Sequence, residues 1–90
     1  RMPTLYSSGV RYQREAPGGE RWLTAPQVLA AGVGDCEDLA AWRAAELRML
    51  GIPARATAVR TGPKTFHAVV LLPDGTYEDP SKRLGMKGKS

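Results

Sequence analysis

The sequence predicts an α+β domain in which one long helix packs on a small antiparallel sheet. Three observations carry that expectation. Residues 35–50 have apolar side chains at helical spacing between capping residues. Strand-like runs follow at 55–60, 66–72 and 76–79, separated by turn residues. Ninety residues also make a single domain, 1–90. A chain of this length buries only about 60% of its unfolded surface, so its core must be compact.

Residues 1–24 read as an irregular N-terminal segment. Ser7-Ser8-Gly9 marks a turn, and Val10-Arg11-Tyr12-Gln13-Arg14 gives a weak alternating strand signal. Ala16-Pro17-Gly18-Gly19 is a loop by its punctuation. Thr24 before Ala25-Pro26 predicts an N-cap with proline in the first turn, opening a short helix through Ala31 that Gly32-Val33-Gly34 ends.

Asp35 then opens the long helix, and Asp35 with Asp38 has the spacing of a capping box, with Asp in place of the usual Glu. Gly51 closes it and Pro53 bars continuation. At 100° per residue Cys36, Leu39, Ala40, Leu47 and Leu50 share one face, the expected core stripe. Arg43 falls on the same face, where it must snorkel or meet a carboxylate.

Among the strand runs, 66–72 is apolar on both faces apart from His67, the pattern of a central strand. Pro73-Asp74-Gly75 turns the chain into the return strand. Residues 83–90, with Arg83, Lys87 and Lys89, read as a flexible basic tail.

The balance of side chains excludes several classes. Hydrophobic residues at 42% and charged ones at 24% suit a globular domain. The apolar runs are too short to cross a bilayer, and no signal-peptide pattern opens the sequence, so no membrane partner is expected. The net charge of +4 gathers at the C-terminus, but without a nucleic-acid motif or interleaved aromatics it argues against nucleic acid as a partner. One cysteine cannot form an internal disulfide, and no Cys/His cluster suggests a metal.

That cysteine draws attention by position. A lone cysteine on an apolar helix face is most often a small hydrophobe. Cys36, however, stands in the first turn of a helix, where unpaired amides and the helix dipole favour a thiolate. Gly32 and Gly34 would let a substrate approach the sulfur, while Glu37 and Asp38 disfavour a second negative charge. A base is therefore required. His67 is the sole histidine, and an imidazole in a buried strand needs partners.

Strand register supplies a test of those partners. If Pro73-Asp74-Gly75 forms a three-residue turn, Leu72 faces Thr76 and Asp79 faces Val69. Asp79 is then the diagonal neighbour of His67 on the same face. A two-residue turn would put them on opposite faces.

Gly34-Asp35-Cys36-Glu37-Asp38-Leu39-Ala40, followed by Gly51-Ile52-Pro53-Ala54-Arg55, resembles the core of the transglutaminase-like, papain-related cysteine peptidase superfamily. His67-Ala68-Val69-Val70 and Glu78-Asp79-Pro80-Ser81 are similar to its histidine and aspartate strands. The resemblance covers about residues 25 to 82, and the short chain is also similar to compact members encoded by bacteriophages and prophages. It implies a minimal papain-like core with Cys36 as nucleophile, His67 as base and Asp79 as orienter. Many members carry Trp two residues after the histidine, where Val69 stands. No glutamine occupies the papain-like oxyanion position, for which Gln27, Tyr12 or the Cys36 amide are the candidates.

The resemblance implies hydrolysis or transamidation of a peptide or protein substrate, with no cofactor required. The expected setting is the cytoplasm of a bacterial or phage-infected cell, or a virion. The alternative is a non-catalytic structural or assembly protein that retains the fold.

Overall fold

A computed structural model describes residues 3–13, 24–63 and 65–85. The loop expected at 16–19 and the tail beyond Gly85 lie outside the described residues. The fold is α+β, with a helix on a small antiparallel sheet as expected.

A 3-10 turn, Leu5–Ser7, leads into the strand β1, Arg11–Tyr12. The helix α1, Ala25–Ala31, follows, with Thr24 as N-cap and Gln27 completing a capping box. Gly32 ends α1 at φ 76°, a left-handed position that glycine adopts without a steric penalty. Val33–Gly34 forms the strand β2, which pairs in parallel with β1. The sequence reading took these two residues as the mere end of a helix. Two residues are too few to show strand alternation, and the partner lies some twenty positions upstream.

The central helix α2, Cys36–Met49, starts on the expected Asp35–Asp38 box, each carboxylate accepting from the other residue's amide at 3.1 and 3.3 Å. Its burial is two-sided. Leu39 and Trp42 pack with Leu5, Val10 and Val28 in one cluster, while Ala40, Ala44 and Leu47 pack with Ala54 and Val70 in a second. The N-terminal segment covers one flank and the sheet the other, which is why Trp42 is buried off the single stripe expected. Leu50, expected in that stripe, is 73% exposed. The helix has ended at Met49, and the chain swings away through Gly51 at φ 87°.

The sheet is antiparallel in the order β3-β4-β5, with β3 at Arg55–Gly62, β4 at Thr65–Leu71 and β5 at Tyr77–Glu78. β4 is the central strand, but Phe66 is 66% exposed, so its outer end, though apolar in sequence, is not buried on both faces. The turn holds three residues. The Leu72 N–H donates to the Thr76 carbonyl at 2.8 Å, and Gly75 takes φ 90°. The Asp74 carboxylate accepts from the Thr76 hydroxyl and amide, which hold it below its ordinary pKa.

Past β5 the chain forms a short helix, α3, Pro80–Arg83, where the sequence reading ran straight into the tail. The signal was present: Asp79 caps α3 and Pro80 takes its first turn. Arg83, assigned to the tail, belongs to α3, and Leu84 packs against the first core cluster. No described helix is long and apolar enough to cross a membrane.

Candidate active site

Register decides which side chains meet. Leu71 pairs with Tyr77 and Val70 with Glu78, so the next step sets Asp79 opposite Val69. Asp79 therefore shares a face with His67, and His67 Nε2 lies 2.9 Å from Asp79 Oδ2. The second oxygen, Oδ1, accepts the Lys82 amide at 3.2 Å as the cap of α3. A carboxylate held at both oxygens has little freedom to rotate away from the imidazole. His67 is buried, and that pairing meets the requirement its burial imposes.

Cys36 is the first residue of α2 and is partly buried. Burial pushes its thiol above the ordinary value; the Ala68 backbone amide, donating toward the sulfur, pulls it down; and the Asp35 and Glu37 carboxylates push it up again. The Glu37 amide also favours the thiolate. The sum is upward. The Asp38 carboxylate accepts from the Asp35 amide.

The sulfur thus lies against the main chain of the residue that follows His67. β5 stops at Glu78, opposite Val70, so among the described residues no strand covers that edge of β4 at Ala68. Cys36 and His67 are brought to the same stretch of β4, and among the described residues no hydrogen bond joins the sulfur to the ring.

Gly32 makes the sharp turn expected of it, and Gly34 acts differently from the expectation. A Cβ on Gly34 would stand 3.1 Å from Val28, 3.2 Å from Leu39 and 3.3 Å from Asp38. Gly34 is buried where α1, β2 and α2 meet, so its smallness serves packing rather than substrate approach. Gln27 is exposed and spends its Oε1 on the Thr24 amide at 2.8 Å. Tyr12 pairs across from Gly34, two residues ahead of Cys36.

A second constellation, which sequence reading missed, ties the layers together. Glu78 Oε2 accepts from Arg43 Nε at 2.6 Å and from the Tyr6 hydroxyl. Arg43 Nη1 also meets Glu46 Oε1 at 3.3 Å, and Glu46 Oε2 accepts from Trp42 Nε1 at 2.9 Å and the Leu5 amide at 2.6 Å. The Arg43 and Arg83 guanidiniums lie 4.8 and 4.5 Å from the Tyr6 ring centre. Burial would raise Glu78, but the Tyr6 hydroxyl and Arg43 outweigh it and hold the carboxyl below its ordinary value. Burial, then the Glu78 carboxylate, push the Tyr6 hydroxyl well upward. Arg43 on an otherwise apolar stripe was the available signal; its partner lies 35 residues away on another element.

The family model of the transglutaminase-like superfamily matches residues 4–77, and the chain belongs to that superfamily. The match includes Cys36 and His67 and ends two residues before Asp79. Comparison with curated proteins and with solved structures returned no match. Membership is compatible with thiol-dependent acyl transfer.

Proposed function

We propose that this domain carries out thiol-dependent acyl transfer on a peptide or protein, with Cys36 as nucleophile, His67 as general base and Asp79 as its positioning residue. The observation that supports the reading is the 2.9 Å pairing of His67 Nε2 with Asp79, beside a cysteine that opens a fourteen-residue helix. An imidazole donating from Nε2 keeps Nδ1 as its basic nitrogen.

In the reaction His67 takes the Cys36 proton, and the sulfur attacks an amide carbonyl to form a C–S bond. The tetrahedral oxyanion rests on backbone amides, with the Cys36 N–H first among them; Tyr12, which pairs across from Gly34, and Gln27 are the side-chain candidates. Collapse breaks the C–N bond, and His67 returns the proton to the leaving amine. Water or a second amine then takes the acyl group. Asp79 supports the imidazolium formed on the way.

The upward push on the Cys36 thiol favours a second reading, a structural or assembly protein that keeps the fold without turnover. Acyl-enzyme trapping separates the two. On brief exposure to p-nitrophenyl acetate at neutral pH, intact-mass analysis should find one acetyl group on Cys36 in the native protein and none in Cys36→Ser or His67→Ala. Equal acetylation of native and His67→Ala proteins would favour the structural reading.

A further inference from the structure

A pocket of about 330 Å³ opens between the N-terminal segment and α3; Cys36 is not in its lining, and among the described residues three cations line it. Arg11 comes from β1, Lys82 and Arg83 from α3, and Tyr6, Gly9, Val10, Leu84 and Gly85 form the rest of the described wall. We propose that this pocket binds an oxyanion group carrying more than one negative charge, a phosphate monoester or a pair of neighbouring carboxylates.

Two of the three cations, Arg83 and Arg11, are held in place, and Glu78, whose carboxylate attracts Arg83, lies outside the pocket lining. The Arg83 guanidinium lies 4.5 Å from the Tyr6 ring centre, held there by a cation–π contact. The Arg11 guanidinium lies against Gly85, where an added Cβ would stand 3.0 Å from Nη2. Gly85 has φ 114°, so glycine is needed there both for the backbone and for the space Arg11 fills. Among the described residues neither Arg11 nor Lys82 has a carboxylate partner, and no acid lines the pocket. Glu78, which contacts Tyr6, already accepts from Arg43 and from the Tyr6 hydroxyl.

Like charges converging on a concavity repel, and a counter-charge bound between them relieves that cost. Guanidiniums match oxyanions through paired N–H donors, and side chains already held in place lose less freedom on binding. The volume lies at the low end of ligand sites, suited to a small group rather than an extended ligand. The same cations on a merely solvated face would attract anions without saturating.

Titration followed by amide chemical shifts decides the matter, using inorganic phosphate and the dicarboxylate glutarate at about 0.15 M salt. The Cys36→Ser protein is used so that the result is independent of the acyl-transfer reading. Saturable shifts at Gly9, Arg11, Lys82 and Gly85 are expected, weakened about tenfold by Arg11→Ser or Lys82→Ser. Arg55→Ser, on the exposed start of β3, should leave binding unchanged. Lys82→Ser, in an exposed position, carries the test should Arg11→Ser disturb β1, and Lys82→Arg should restore affinity. Saturation by phosphate alone assigns a phosphate group, and saturation by glutarate assigns a carboxylate-bearing one. Shifts that grow linearly with both salts, or that Lys82→Ser and Arg11→Ser leave unaltered, overturn the proposal.

Discussion

Glu78 and Asp79 are neighbours in the chain with carboxylates directed to different layers: Glu78 meets Arg43 of the central helix, and Asp79 meets His67 of the central strand. Alternation along an extended backbone does this sorting. The same turn register that delivers Asp79 to the imidazole therefore also seats Glu78 on the helix, so one three-residue turn fixes both the candidate site and the inter-layer ion pair.

The Glu78 pairing has a signed pH dependence. Its carboxyl is held below the ordinary value in the fold, so the stability it adds is present above the unfolded-state value of about 4.3 and is lost as pH falls through the lower folded value. Glu78→Gln should therefore be less stable than the native protein at pH 7, by about 1–3 kcal/mol for charge-assisted hydrogen bonds lost in a partly buried site. Urea unfolding should show that gap closing in acid. A gap that stays constant from neutral pH down to full carboxylate protonation contradicts the assignment.

Leu47 and Leu50 test the helix face. Both were expected in the core by spacing, yet Leu47 is 5% exposed and Leu50 73%. Leu47→Ala should cost about 2–5 kcal/mol, and Leu50→Ala should stay within about 0.5 kcal/mol of the native protein. Equal denaturant midpoints for the two variants would show that the end of α2 is wrongly placed.

How legible these features were depended on the range of the interaction that fixes them. The Thr24 and Asp35 caps, the ends of α2 and the Pro73-Asp74-Gly75 turn are set by residues within a few positions of one another, and all stood open in the sequence. The meeting of His67 and Asp79 was accessible as one of two outcomes, because the length of one short turn decides the register. β2 was not, since Val33–Gly34 is a strand only because Arg11–Tyr12 lies beside it. Trp42 was missed for the same reason: a single-stripe reading assumes one partner layer, and α2 has two. The Arg43–Glu78–Tyr6 cluster gathers three distant segments, and only the oddness of Arg43 hinted at it.

Asp79 joins two duties that substitution can separate. Asp79→Asn can keep one oxygen toward the Lys82 amide while losing the charge that faces the imidazole, so the cap should be weakened only slightly. Asp79→Ala removes both and should cost about 1 kcal/mol more through the lost cap. Acetylation of Cys36 by p-nitrophenyl acetate gives the second readout: both variants should slow it, because each removes the carboxylate charge 2.9 Å from Nε2 that supports the imidazolium. An unchanged acetylation rate in Asp79→Asn would dissociate the pair.

The thiol itself provides the last test, because two opposed influences act on it. Burial, then the Asp35 and Glu37 carboxylates, favour the protonated form; the Ala68 and Glu37 amides favour the thiolate; and the balance lies above the ordinary thiol value. A thiol governed by that balance alone should alkylate with iodoacetamide only as pH rises past its reference value of about 8.5. If His67 takes the thiol proton, a second limb should appear well below that value, as a thiolate–imidazolium pair. His67→Ala should erase that limb and leave the upper one. Glu37→Gln, at an exposed position, should move the upper limb to lower pH by removing a charge that opposes the thiolate. Profiles of native and His67→Ala proteins that coincide throughout would show that His67 does not activate Cys36, whatever its pairing with Asp79.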